Sequence, residues 1–190
     1  TIRNEYQFYD FFTTTEKLIR GTTTEIVPEI KYFSDITFEL IEDFEIGSIF
    51  LPASSSDTGI TLKTMSTLPV FGDQSAVIYL DNDHSYFEIA TDNEQYTLPY
   101  GSRVFLELSY SCNNSFSVGL LKNTFNGVEK IKSYITLYPT DGWNKIYINF
   151  TEYIKSHSDA FSYELYFSGN KDADNNLGAI TLDNVKLIHD

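Results

Sequence analysis

The chain has 190 residues, enough for one well-buried domain and short for two. Its 27 acidic and 13 basic residues give a formal net charge of −14, which disfavours nucleic-acid phosphates and anionic membrane surfaces as partners. Aromatic residues make up 16% of the chain, too many for a disordered protein, and no apolar run is long enough to form a membrane span.

Residues 1–35 show no clean hydrophobic period. Five aromatic side chains crowd together before two threonine triplets, namely Tyr6, Phe8, Tyr9, Phe11 and Phe12. Because clustered aromatic rings are costly to leave in water, we expect an extension that packs on the following domain as an edge strand or short helix. A linker from a membrane anchor is the alternative. The first residue is not Met, which indicates that an N-terminal segment has been removed.

From residue 36 onward the hydrophobic pattern has a period of two, which is typical of half-buried strands. The candidate strands are 36–41, 59–63, 75–80, 86–91, 104–111, 117–121, 132–137, 145–150, 163–167 and 180–188. Turn-forming residues separate them, and residues 151–158 are the one good helix candidate. About nine or ten short strands with polar turns predict an all-β domain over 36–190, a two-sheet antiparallel β-sandwich or jelly roll.

Signals for catalysis are weak. The three histidines, His84, His157 and His189, lie in turns or near the chain end. Gly-rich phosphate loops and the Gly-x-Ser-x-Gly and His-Glu-x-x-His motifs do not occur in the sequence. Cys112, at the end of a predicted strand, has no second cysteine to pair with and is expected to be a buried, inert thiol. The sequence therefore predicts that the protein is not an enzyme.

Five segments carry a resemblance to a known group of proteins. They are EDFEIG at 42–47, YFEI at 86–89, VFLELSY at 104–110, GWNKIYI at 142–148 and ITLDNVKL at 180–187. In this order they resemble the galactose-binding-like β jelly rolls, a group that includes many carbohydrate-binding modules, and especially surface lipoproteins of Bacteroidetes. The resemblance covers roughly residues 36–190. It implies an extracytoplasmic β-sandwich, in the periplasm or on the outer cell surface of a bacterium, tethered by a lipid anchor upstream of Thr1.

Strand phasing suggests where a sugar would bind. Glycan platforms combine aromatic rings with nearby carboxylates and amides, because sugars have apolar C–H faces and polar rims. Alternation places Phe44, Tyr110, Phe150 and Phe167 in the core and points Tyr147 and Tyr166 away from it. If their strands share a sheet, one solvent-facing surface would contain Glu107, Tyr147, Asn149, Glu164 and Tyr166, with Arg103 at its rim and Trp143 as a further ring. An ordinary amphipathic outer face with cross-strand pairs is the alternative.

The resemblance also implies a structural metal ion. In the resembling modules, a carboxylate of the early Phe-Glu segment and one of the final strand meet around calcium. The matching residues here are Glu45 and Asp183. Calcium takes six to eight oxygen ligands, which two carboxylates and loop carbonyls can supply. The alternative is that both side chains only cap turns or pair with a lysine.

These observations lead to a non-catalytic, extracytoplasmic carbohydrate-binding module of a surface lipoprotein that binds a neutral glycan. The alternative is a structural or assembly β-sandwich that contacts protein partners at the cell surface through an edge strand or through residues 1–35. A glycoside hydrolase or polysaccharide lyase is the least favoured hypothesis.

Overall fold

The computed structural model describes residues 36–66, 69–91, 96–98, 101–130 and 134–190, so the prediction for residues 1–35 lies outside it. Within these ranges the chain forms twelve strands and one short helix. They are β1 (Thr37–Glu42), β2 (Phe50–Pro52), β3 (Lys63–Met65), β4 (Ser75–Leu80), β5 (Tyr86–Thr91), β6 (Val104–Cys112), β7 (Phe116–Thr124), β8 (Gly127–Lys130), β9 (Ile135–Leu137), β10 (Asn144–Asn149), α1 (Thr151–Ser156), β11 (Ser162–Asn170) and β12 (Gly178–His189). The predicted all-β class is confirmed.

The strands form two antiparallel sheets. Sheet 1 has the order β10-β6-β12-β4-β3, and β1 also pairs with β12. Sheet 2 has the order β2-β5-β11-β7-β8, and β9 also pairs with β7. The predicted two-sheet sandwich is therefore confirmed.

The final strand has two neighbours along one edge. The first half of β12 pairs with β4 up to Leu182, and the second half pairs with β1 from Val185 onward. The register with β6 shifts between Asp183 and Lys186, and Asn184 between them has a left-handed φ of 52°. This irregularity places Asp183 and Asn184 in the gap between β4 and β1.

The core lies between the sheets and is rich in phenylalanine. Alternating residues of β6 point inward, and the apolar residues of β7 and β11 face them from sheet 2. A chain of ring contacts crosses this space, with centroid distances of 5.2 Å for Phe50–Phe167, 6.4 Å for Phe116–Phe167 and 5.8 Å for Tyr110–Phe116. Phe44, Tyr110, Phe150 and Phe167 are all buried, as the strand phasing predicted.

Helix α1 closes one end of the sandwich beside the start of β6. The Thr151 N–H donates to Asn149 Oδ1 at 2.9 Å, and Thr151 Oγ1 accepts the Val104 N–H at 3.0 Å. Ile154 then buries its side chain in the core. At six residues α1 is too short to cross a membrane, and the described residues hold no other helix that could.

The predicted strands differ from the structure at three places. Gly59 lies in a turn with φ of 93°, so the strand predicted over 59–63 begins only at Lys63. Strands β2 and β8 were not predicted. Strand β2 has three residues and ends in proline, and β8 has four residues after a tight turn, so neither is long enough for a clear alternation.

Candidate functional site

The predicted sugar surface is divided between the two sheets. Strands β6 and β10, which carry Glu107, Tyr147 and Asn149, belong to sheet 1. Strand β11, which carries Glu164 and Tyr166, belongs to sheet 2. Outward side chains of different sheets point to opposite sides of a sandwich. The expectation that these strands share one sheet is therefore wrong, because alternation shows on which side of its strand a residue lies but not which strands are neighbours.

On sheet 1, Glu107 is the centre of an ion-pair network rather than an open ligand site. Its Oε1 accepts from Lys145 Nζ at 2.9 Å and lies 3.5 Å from Lys186 Nζ, and the residue is 5% exposed. Burial alone would raise the pKa of Glu107, but the hydrogen bonds from Lys145 and Tyr147 and the charges of both lysines hold it below its usual range. Burial and the bond to Glu107 raise the pKa of Tyr147. The Tyr147 hydroxyl therefore stays protonated near neutral pH.

The other predicted residues near sheet 1 have structural contacts. Arg103 donates from Nε and Nη2 to Asp190 Oδ2 at 2.8 and 2.6 Å. Asn149 Oδ1 accepts the N–H group of Thr151, the first residue of α1. Trp143 directly precedes β10 and is half-buried. The Arg103 guanidinium and the Asn149 amide oxygen are therefore already hydrogen-bonded within the protein.

The outer face of sheet 2 brings aromatic and acidic side chains together. We define the sheet-2 face by Tyr86 and Glu88 on β5, Glu164 and Tyr166 on β11, and Asn123 on β7. Their strand neighbours Phe87, Ile89, Leu165 and Phe167 are buried in the core, so these residues point to the other side. The Tyr86 hydroxyl donates to Glu88 Oε2 at 2.6 Å, and Asn123 Nδ2 donates to Glu164 Oε1 at 3.1 Å.

Small residues surround the central ring of this face. Tyr166 pairs with Ala90 of β5 on one side and with Gly119 of β7 on the other. Tyr166 itself is 3% exposed, so the expectation of a solvent-facing ring is wrong although its outward direction is right. Burial, the hydrogen bond to Glu88 and the nearby Tyr166 raise the pKa of Tyr86. Glu88 and Asn123 are also buried, at 6% and 3% exposed, whereas Tyr86 and Glu164 are half-buried.

Sequence reasoning missed Tyr86 and Glu88. The alternation in residues 86–89 already places both opposite Phe87 and Ile89. The missing information was that β5 lies beside β11, a contact between residues about 80 positions apart in the sequence.

The second predicted site lies in the gap of sheet 1. Asp183 is fully buried there, and its Oδ2 accepts the N–H groups of Val70 and Phe71 at 2.8 and 3.0 Å. Glu45 approaches the same loop from the other side, where its Oε1 accepts the N–H groups of Asp73 and Gln74 at 2.8 and 3.0 Å. Both carboxylates thus hold residues 70–74.

Two oxygens at this point have no hydrogen-bond donor. Asp183 Oδ1 and Asn184 Oδ1 are buried without a partner, a state that costs free energy unless another group compensates it. Burial raises the pKa of Asp183 despite the backbone hydrogen bonds from Phe71, Val70 and Asn184, and the charge of Glu45 raises it further. Two neighbouring carboxylates and an amide oxygen suit a hard cation such as calcium. Because no group of three or more His, Cys, Asp or Glu forms a metal cluster within the described ranges, the remaining ligands would be amide, backbone or water oxygens.

Comparisons with known proteins agree with this architecture. The family 11 carbohydrate-binding module of a cellulosomal cellulase from Clostridium thermocellum matches with a TM-score of 0.57 and 15% identity, over 81% of this chain and 95% of that one. The CBM22-1 xylan-binding domain from Paenibacillus barcinonensis Xyn10C matches with a TM-score of 0.52 and 12% identity, over 82% and 94%. This chain has the β-sandwich fold of carbohydrate-binding modules.

A viral enzyme contains a similar fold. The enzymatically active domain of tailspike protein 4 of bacteriophage CBA120 matches with a TM-score of 0.59 and 12% identity, over 74% of this chain. The matched part is 19% of that tailspike chain. No protein-family model matches the chain, and no curated protein does. At such identities the likeness is one of fold, and function has to be argued from the site.

Proposed function

We propose that this chain is a non-catalytic carbohydrate-binding module that holds a neutral glycan on the sheet-2 face. The observation that carries the proposal is the row of Tyr86, Glu88 and Tyr166, flanked by the small residues Ala90 and Gly119. Carboxylate oxygens accept hydrogen bonds from sugar hydroxyls, and tyrosine rings pack against sugar C–H groups. Tyr86 and Glu164 are half-buried, and they are the members of this face that a glycan would contact first.

Charge favours a neutral ligand. The chain carries a formal charge of −14, and the sheet-2 face contains two acidic residues, Glu88 and Glu164, while none of its defining residues is cationic. An acidic polysaccharide would be repelled by both the chain and the face. The proposed setting is the outer surface or periplasm of a bacterium, on a lipid-anchored protein, as the sequence resemblance implies.

The binding test uses the carbohydrates that are named as ligands of structurally similar modules. Those are xylan, and a β-1,3-1,4-mixed-linked tetrasaccharide bound to the family 11 module of Clostridium thermocellum, which matches with a TM-score of 0.54. Affinity gels with xylan, mixed-linked glucan and further neutral polysaccharides should retard the protein. Glu88→Gln should weaken binding at least about tenfold, because loss of a hydrogen bond to a charged group costs about 1.5–3 kcal/mol.

A matched control separates the two faces. Tyr79 lies on the outer side of sheet 1 and is 43% exposed, so Tyr79→Phe should leave binding unchanged. Retardation that survives Glu88→Gln, or that is lost in Tyr79→Phe, would remove the sheet-2 face from the proposal. Thermal unfolding of each variant checks that the fold is intact.

We also propose that Glu45 and Asp183 hold a structural calcium ion. The buried, unpartnered Oδ1 atoms of Asp183 and Asn184 support this proposal. A bound cation would neutralise the repulsion between the two carboxylates and fix residues 70–74 to β12. Its role would be to stabilise the sandwich, since Asp183 lies on β12 of sheet 1 and Glu45 in the loop after β1, whereas the sheet-2 face belongs to the other sheet.

A further inference from the structure

One end of the sandwich exposes two phenylalanine rings that touch each other. Phe125, at the tip of the turn between β7 and β8, is 97% exposed, and Phe161, just before β11, is 51% exposed. Their ring centroids lie 5.8 Å apart at an interplanar angle of 52°. Val128 of β8 is also exposed nearby in the chain. Exposed aromatic groups that cluster in this way mark a binding surface more often than single exposed residues do.

A cavity opens beside Phe161. Its volume is about 210 Å³, and its apolar walls include Phe161, Leu98, Ile154 and Tyr163. The Phe161 N–H donates to the Asn123 carbonyl at 3.0 Å, which ties the loop to the end of β7. Phe161 therefore forms both a cavity wall and half of the exposed pair, and its backbone position is fixed before any ligand arrives.

Polar groups border the same cavity. His157 lines it, and the ring's Nδ1 lies 2.8 Å from the Tyr153 carbonyl oxygen, which can only accept. Nδ1 also lies 2.9 Å from Ser156 Oγ, so the ring is held by two neighbours in α1. Asp159, between two lining residues, pairs with Lys122 at 2.8 Å. Burial and the charge of Asp159 raise the pKa of Tyr163 in the cavity wall, so the Tyr163 hydroxyl stays protonated near neutral pH.

We propose that this end of the sandwich is a second carbohydrate subsite that takes one terminal sugar ring. The inference deepens the proposed function and rests on it. A sugar ring would lay its C–H face on Phe161 and Phe125 and direct hydroxyls toward His157 and Ser158. The cavity is smaller than the roughly 300–1,000 Å³ typical of drug-sized ligand sites, so it fits a single ring rather than a run of them.

The polar border decides against a purely apolar ligand. An alkyl chain or apolar peptide side chain seated here would remove water from His157 and Ser158 without replacing the lost hydrogen bonds. A sugar hydroxyl replaces them. The site is also distinct from the sheet-2 face, because it is built from α1, the loop before β11 and the β7–β8 turn.

The test is an amide chemical-shift titration of the whole chain with methyl glycosides of glucose, xylose, galactose and mannose. At least one of them should shift the amides of residues 125–128 and 157–163 in a saturable manner. Phe161→Ala should weaken this binding about tenfold or more, and Phe125→Ala should weaken it less. Tyr138→Ala is the matched control, since Tyr138 is 69% exposed and follows β9, which pairs with the start of β7 rather than with its end.

Each result has a defined meaning. Shifts confined to the sheet-2 face would overturn the end subsite and leave the proposed function standing. Absence of binding to both sites, for these glycosides and for the polysaccharides above, would overturn both. Cyclohexanol, a ring of similar shape with one hydroxyl, should bind at least tenfold more weakly than the best glycoside; equal binding would overturn the sugar assignment. If Phe161→Ala fails to fold, Phe125→Ala decides, because its ring is 97% exposed.

Discussion

Replacing Asp183 by Asn should change stability in opposite directions with and without calcium. Asp183 is fully buried, Oδ2 accepts two backbone N–H groups, and Oδ1 has no partner. An Asn side chain has nearly the same shape, and its amide oxygen can still accept both N–H groups. The substitution therefore removes one buried negative charge beside Glu45 and little else.

Without calcium, the variant should be at least as stable as the wild type near neutral pH. The pKa of Asp183 is raised in the folded chain, first by burial and further by Glu45, so ionisation of Asp183 opposes folding. This penalty is absent below the unfolded pKa of about 3.9 and fully present above the raised folded value. The stability difference should thus grow in favour of the Asp183→Asn variant as the pH rises through that window and then level off.

With calcium, the order should reverse. A ligand at 100 times its dissociation constant stabilises the folded state by about 2.7 kcal/mol. For a chain of this length that corresponds to a rise in Tm of roughly 5–11 °C, at about 2–4 °C per kcal/mol. The wild type should show this rise and the Asp183→Asn variant should not.

The assay is thermal unfolding in EDTA and in a calcium series, repeated across the acidic pH range. Asp141→Asn is the matched control, because Asp141 is an exposed acid in the turn before β10. It should respond to calcium as the wild type does. No rise in the wild type, or an equal rise in the Asp183→Asn variant, would refute the calcium site.

Two further predictions concern the same loop and the core. Gly72→Ala should destabilise the fold by about 1–3 kcal/mol in urea unfolding, because Gly72 has φ of 67° and a Cβ there would overlap Glu45 Oε1 and displace bonds to a charged group. Gly101 has φ of 92° and open space around it, so Gly101→Ala measures the cost of the backbone conformation alone. An equal loss of unfolding free energy in both variants would show that overlap with Glu45 does not contribute. Cys112 is 4% exposed, its thiol donates to the Tyr138 carbonyl at 3.4 Å, and burial raises its pKa to about 11. The thiol should resist a disulfide reagent near neutral pH until urea unfolds the chain; rapid labelling of the folded protein would contradict this burial.

Patterns within single strands predicted much of the fold. The alternation over 104–111 placed Tyr110 in the core, and the structure confirms this, with Leu106 and Leu108 buried on the same side of β6. The same local logic predicted α1 to within two residues of its end. These predictions succeed because burial on one face of a strand or helix imposes a period that the sequence must show.

Relations between distant strands could not be predicted in this way. Glu107 and Tyr166 both point away from the core, yet one lies on each sheet. The sequence pattern of either strand would be the same on either sheet, because both sheets have one inward face. The resemblance did pair Glu45 with Asp183, and in the structure both carboxylates accept N–H groups of the loop 70–74. Contacts between residues distant in the sequence could therefore be predicted only where a motif specified them.

The most direct test of the central claim is the affinity of the wild type and of Glu88→Gln for a panel of neutral polysaccharides. The wild type should bind at least one polysaccharide in a saturable manner, Glu88→Gln should bind it at least about tenfold more weakly, and Tyr79→Phe should bind it as the wild type does. Equal affinity in the wild type and a folded Glu88→Gln variant would contradict glycan binding on the sheet-2 face.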